Sequence, residues 1–272
     1  MKWCSFEMED EQRIGVVEGE FVYDVSDQLH TTSLLEVIAR EFKPDVDLDV
    51  APRFGLEDTK LVAPYRPLKN IICIGKNYEE HVKEMDTAGA GKLVIFTKAP
   101  TSVVGPEAIV ERHSELTDQL DYEGELAVII GKTGREIEDV DAHIFGYTIL
   151  NDITARDVQK QHVQFFRGKS LDTFCPLGPY IVTPDELSFP LSIQTVVNGE
   201  LRQNGSTADM IRPIEELIRT LSNGMTLEAG DIIATGTPAG VGHGMKPPVY
   251  LQSGDTIEVK IAGLGALRNV IV

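Results

Sequence analysis

A β-rich α+β fold, with a small α+β module ahead of a larger strand-dominated domain, is the class the sequence predicts, and three observations predict it. Strand-like apolar runs recur through residues 70–272, whereas helical spacing is confined to a few short stretches. Residues 1–66 carry 15 Asp/Glu against 7 Lys/Arg, close to half of the chain's net charge of -18, and so differ in composition from the remainder of the chain. At 272 residues, with 42% hydrophobic and 25% charged side chains, the chain is near the upper size of one core and within globular norms.

Residues 13–24 predict two short strands around Glu18-Gly19-Glu20, and residues 33–40 place apolar side chains at helical spacing after a Thr/Ser cap, giving a small domain over 1–66. Pro64 and Pro67 lie in an extended linker feeding the apolar run 70–75, where the main domain, 70–272, begins. Strands are predicted at 94–98, 123–130, 146–150, 180–182, 193–197, 232–235, 256–261 and 266–272, with helices at 78–85, 155–164 and 210–221. Asn198-Gly199 between two strand runs predicts a two-residue hairpin, because both central positions of a type I′ turn need positive φ. No period of 20 to 50 residues repeats, which disfavours solenoids and propellers.

The acidic balance repels phosphate backbones and anionic headgroups, which excludes nucleic acid and membrane surfaces as expected partners. Cys4, Cys73 and Cys175 are odd in number and form no C-x-x-C pair, pointing to a reducing compartment. The acidic N-terminus lacks the apolar core of a signal peptide, and no run of about 18 apolar residues occurs; a cytoplasmic protein is expected. Asn204-Gly205-Ser206 then matches a glycosylation acceptor by chance.

Several stretches carry chemistry. Asp121-Tyr122-Glu123-Gly124-Glu125 puts two glutamates at i and i+2, on one side of a strand, where they repel and ask for a cation; a solvated strand end is the alternative. In Asn151-Asp152-Ile153-Thr154-Ala155-Arg156 an apolar strand ends in Asn-Asp and enters a helix. Asp152 is there either a third hard-oxygen ligand, suited to Mg²⁺, Mn²⁺ or Ca²⁺, or a helix cap, a role open to Thr154 as well, while Arg156 and Gln159 share a helical face. Asn77-Tyr78-Glu79-Glu80-His81-Val82-Lys83-Glu84 sets His81 and Glu84 at i and i+3, the preparation of a water-activating base or an ordinary exposed pair. It is not the H-E-x-x-H of zinc proteases. Gly168-Lys169-Ser170 and Gly131-Lys132-Thr133 are not phosphate loops, since Val163 and Leu126 replace the required glycine. The glycines of 236–244 offer amides that suit a carboxylate better than a dinucleotide.

Taken in order, Asn77-Tyr78-x-x-His81-x-x-Glu84, Tyr122-Glu123-x-Glu125, Asn151-Asp152-x-Thr154-Ala155-Arg156-Asp157, Gly168-Lys169-Ser170 and Gly236-Thr237-Pro238-x-Gly240 resemble the fumarylacetoacetate hydrolase family over about residues 70–272. The resemblance implies a mixed β-roll core, a homodimer, and a divalent ion, Mg²⁺ or Mn²⁺ with Ca²⁺ as an alternative, held by Glu123, Glu125 and Asp152. It implies that His81 and Glu84 sit on a mobile lid and activate water, that Lys169 stabilises oxyanion charge, and that Tyr78, Arg156, Gln159 and Thr237 meet substrate; residues 86–92, rich in small residues and poor in core formers, predict that the lid spans Tyr78 to about Leu93. The expected activity is metal-dependent hydrolysis of a carbon–carbon bond in an acylpyruvate or diketo acid. An oxaloacetate-type 2-oxo acid decarboxylase, an isomerase or hydratase on the same fold is the alternative, and a non-catalytic metal-binding protein a remote one.

Overall fold

The computed structural model describes residues 1–41, 44–85 and 93–272. Residues 86–92, expected to form part of the lid, thus lie outside the described residues.

Among the described residues three sheets form, of twelve, five and two strands. Gly124–Ile130 lies centrally in the largest. One side pairs with Ile144–Asn151, then Cys175–Val182, then Lys2–Met8 and the hairpin Glu11–Glu18/Phe21–Asp24; the other pairs with Ile232–Ala234, then Ile71–Gly75 and Val94–Lys98. Most pairs are antiparallel, but Ile232–Ala234 runs parallel to Ile71–Gly75, so the sheet is mixed. The acidic N-terminal residues therefore share a sheet with the main domain through Lys2–Met8 and Cys175–Val182.

The near-continuous apolar run 126–130 is explained by burial on both faces, as period two requires. Leu126, Val128 and Ile130 join the core against the five-stranded sheet, whereas Ala127 and Ile129 join the cluster under the N-terminal helices, with Leu34, Val37 and Ile38. The helix Leu34–Ala39 starts as expected, with the Ser33 side chain accepting from the Glu36 N–H. The second sheet holds the predicted hairpin, Ser192–Val197 and Glu200–Ser206, whose turn residues Asn198 and Gly199 both have positive φ, 52° and 81°.

Several boundaries differ from expectation, the helix predicted at 210–221 starting only at Ile214. The strand predicted at 180–182 begins at Cys175, because Pro176 sits at the strand's start and Pro179 is tolerated where the register against Ile144–Asn151 shifts. The helix predicted at 155–164 is only Arg156–Gln161, His162 being extended. No helix among the described residues is long and apolar enough to cross a membrane.

Candidate active site

The floor of the site is set by one register. Gly124 pairs with Asn151, so Glu123 and Asp152, just beyond the two strand ends, lie side by side, the Asp152 N–H donating to the Glu123 carbonyl at 2.8 Å. Glu125 projects to the same side as Glu123. Gly124 between them is dictated by space, since a Cβ there would lie 2.4 Å from Thr195 Oγ1. One oxygen from each of Glu123, Glu125 and Asp152 lies within 4.8 Å of the others, and all three residues are buried.

Three buried cations surround this group. Lys98 Nζ donates to Asp152 Oδ1 at 2.6 Å, to the Ile153 carbonyl at 3.2 Å and to the Lys169 carbonyl. Lys169 Nζ donates to Glu123 Oε2 at 2.6 Å, Asp152 Oδ2 at 2.5 Å and Thr154 Oγ1 at 2.8 Å. Arg156 pairs through Nη2 with Glu123 Oε1 at 2.6 Å and Asp121 Oδ2 at 2.8 Å, and its Nη1 donates to Gln159 Oε1 at 3.3 Å.

The four carboxylates of Asp121, Glu123, Glu125 and Asp152 thus face three cations, and among the described residues Glu125 is the one left without a cation in direct contact. It accepts the Gly236 N–H at 2.8 Å, while burial and then the charges of Asp152 and Glu123 push its carboxyl well above the usual range. Glu123 goes the other way: burial acts to raise it, but Arg156 and Lys169 outweigh that and hold it well below. Burial likewise acts to lower Lys169, and Asp152 and Glu123 outweigh it, so the ammonium stays charged. An all-oxygen set of three buried carboxylates, one of them without a cation of its own, fits a hard divalent cation that Glu123, Glu125 and Asp152 would hold.

The wall opens onto a cavity of about 370 Å³, lined by Glu123, Glu125 and Lys169 and by His81, Arg156, Gln159, Thr237 and His243. His81, on the helix Glu79–Glu84, points Nδ1 at Glu84 Oε2, 3.4 Å away. Both Glu84 oxygens accept the Gly240 N–H, at 3.0 and 3.1 Å. The pair is therefore seated on the glycine loop, with the carboxylate behind the imidazole.

Of the residues expected from sequence, Glu123, Glu125, Lys169, His81, Arg156, Gln159 and Thr237 meet at this cavity, with Asp152 just beneath and Glu84 behind His81. Neither Asp152 nor Thr154 caps the helix Arg156–Gln161, whose N-cap is Ala155 without a side-chain bond; both serve lysines instead. Thr237 Oγ1 is tied to the body, donating to the Gly124 carbonyl at 2.9 Å and accepting from Gln203 Nε2 at 2.7 Å. Tyr78 stands off the cavity wall, its ring in the core and its buried hydroxyl without a partner among the described residues. Sequence reasoning missed Lys98, Asp121 and His243. For Asp121 a signal existed, an acid two residues before Glu123; for Lys98 the only signal was a cation closing a mostly apolar strand.

Fold and site together define a mixed-sheet architecture with a buried acidic set at the strand ends, suited to a metal ion. The family profile for fumarylacetoacetate (FAA) hydrolase C-terminal matches residues 70–272, and the chain belongs to that family of enzymes. Oxaloacetate tautomerase YisK of Bacillus subtilis (strain 168) is 58% identical over 225 residues, 80% of this chain and 75% of the relative. A solved structure described as fumarylacetoacetate hydrolase (EaFAH) from psychrophilic Exiguobacterium antarcticum is 62% identical with a TM-score of 0.94, covering 100% of this chain and 99% of that one. A 5-carboxymethyl-2-hydroxymuconate delta-isomerase from Mycobacterium smegmatis is 31% identical with a TM-score of 0.81, covering 100% and 99%.

Proposed function

We propose that this protein is a divalent-metal-dependent isomerase that interconverts the keto and enol forms of a small 2-oxo dicarboxylic acid of the oxaloacetate class. The observation that carries the reading is the His81–Glu84 pair seated on the same cavity as the Glu123, Glu125 and Asp152 carboxylates. Similarity to a protein named oxaloacetate tautomerase and to a structure named as an isomerase favours proton transfer over bond cleavage.

A cation held by Glu123, Glu125 and Asp152 would supply Lewis acidity toward the carboxylate and keto oxygens of the substrate. The chain's own residues do the rest. Keto–enol exchange removes one proton from C3 and delivers one to the oxygen on C2, with no net water consumed. His81, with Nδ1–H directed at Glu84, keeps Nε2 as the basic nitrogen for the C3 proton, and Glu84 stabilises the imidazolium that forms. Lys169, charged in its ring of acceptors, lowers the cost of negative charge on the C2 oxygen. Phe96 and Phe165, rings 5.5 Å apart, line the same cavity and limit water there.

The same pair with a bound water serves acylpyruvate hydrolysis, and the 62% identical structure described as a fumarylacetoacetate hydrolase keeps that as the second reading. Mg²⁺ or Mn²⁺ as the ion, a homodimeric state and a cytoplasmic setting belong to this proposal; the three cysteines, all free and buried, support a reducing compartment. The test monitors the ultraviolet decay of freshly dissolved enol oxaloacetate with Mg²⁺ or Mn²⁺, beside acylpyruvate cleavage. Faster enol–keto exchange without cleavage or release of carbon dioxide is expected; cleavage without acceleration of exchange would return the protein to the hydrolases.

A further inference from the structure

The cavity is also lined by a histidine that the proposed proton transfer does not use. Substrate oxygens near the cation site leave the other end of a dicarboxylate to be met elsewhere, and Arg156, the obvious cation for it, is enclosed by Asp121, Glu123 and Gln159. Gln159 commits its amide oxygen to that arginine, which leaves its NH₂ as a donor. His243 lines the same cavity. The backbone N–H of His243 donates to Asp121 Oδ2 at 3.0 Å and that of Gly242 to Asp121 Oδ1 at 2.8 Å, so the carboxylate that grips Arg156 also fixes the turn carrying the imidazole. His243 Nδ1 is 2.7 Å from the Tyr250 hydroxyl, and the two rings stack with centroids 5.9 Å apart.

We infer that His243, oriented by Tyr250, binds the distal carboxylate of the substrate through Nε2–H, with the Gln159 amide as the second donor. The inference rests on the reading of the substrate as a 2-oxo dicarboxylate. Burial first, then Lys160 and Arg156, favour the neutral ring, and Asp121 and Glu123 oppose them with less effect. A neutral imidazole whose Nδ1 accepts from the phenol carries its proton on Nε2 and is a donor on its other side. His243 is then a specificity residue, and Tyr250 a positioning residue that selects the tautomer.

The test measures binding by calorimetry to the Mg²⁺-loaded protein, with two unreactive probes: malate, which has a distal carboxylate, and oxalate, which has none. His243→Phe should weaken malate about 10-fold or more while oxalate stays within about 2-fold, the size expected for one hydrogen bond to a charged group. His243→Gln, with an N–H near the Nε2 position, should recover most of the loss; Tyr250→Phe should weaken malate by a smaller factor and make its affinity more dependent on pH. Malate and oxalate falling together in His243→Phe, or malate not falling, would overturn the inference. Because neither probe turns over, a persistent malate contrast in a protein that fails the enol–keto assay would sink the activity reading and leave this subsite standing.

Discussion

The carboxylate cluster and the His81–Glu84 pair border one cavity but are held in opposite ways. Asp152 is gripped by two ammonium groups and Glu123 by an ammonium and a guanidinium, both carboxylates buried at strand ends of the largest sheet. His81 and Glu84 lie on a six-residue helix, and among the described residues the Gly240 N–H is what ties their side chains to the body. Charge density explains the difference. Several like charges cannot be buried together unless every oxygen is fixed, whereas a base that must give and take a proton gains from a lighter mounting. The cluster is thus organised before any ligand arrives, and the helix is positioned by contacts that single substitutions can release.

The largest effect is expected at Glu125. Glu125→Gln should abolish calorimetric Mg²⁺ binding and lower turnover by about 10³-fold or more, because the ligand that lacks a cation of its own is lost. The metal-free protein should at the same time become more stable. A carboxyl whose folded value is raised contributes stability below its unfolded value, near 4.3, and loses it as pH rises and the buried group must ionise. The stability gap between Glu125→Gln and wild type should therefore widen from acid toward neutral pH and close when Mg²⁺ is added to wild type. A gap that stayed constant with pH would mean that the cluster is not short of positive charge.

His81→Ala tests the other side of the comparison. Enol–keto exchange should fall by about 10²- to 10⁴-fold with Mg²⁺ affinity near wild type. If acylpyruvate cleavage fell while exchange persisted, the pair would belong to water activation. Lys98→Met comes next in size: it leaves Asp152 and two carbonyls without their shared donor, and urea unfolding should show a loss of about 3–5 kcal/mol. A loss as small as that of an exposed pair would contradict the fixed character of the cluster.

What could be read from the sequence has the same division. Glu123, Glu125 and Asp152 were legible because they interrupt or border runs that are otherwise apolar, 126–130 and 146–150, where an acid breaks the local pattern. Lys98 reaches Asp152 only through the ordering of Val94–Lys98, Ile71–Gly75, Ile232–Ala234 and Gly124–Ile130, a long-range pairing with no local spacing to announce it. The meeting of His243 with Tyr250 is closer in sequence, seven residues, but depends on a turn without periodicity. The junction of Lys2–Met8 with Cys175–Val182 was hidden for both reasons, since prolines disguise the second strand.

The smallest expected effect reports most directly on how the His81 helix is mounted. Gly244 packs so closely beneath Glu84 that an added Cβ would lie 2.2 Å from Glu84 Cγ and 2.5 Å from its Oε1. Gly244 has no unusual φ of its own, so alanine is admissible for the backbone and the strain falls on the flexible glutamate. Gly244→Ala should displace the carboxylate from the Gly240 N–H and weaken its support of the imidazole, lowering exchange by about 10-fold while the global stability changes by less than about 1 kcal/mol. Glu84→Gln removes the charge without the displacement. If Gly244→Ala and Glu84→Gln lower the rate alike, and the double variant is no worse than either, the two act through one contact. Additive losses would mean that Gly244 supports the helix by a route other than Glu84, and that the wall is more rigidly held than its two hydrogen bonds to Glu84 imply.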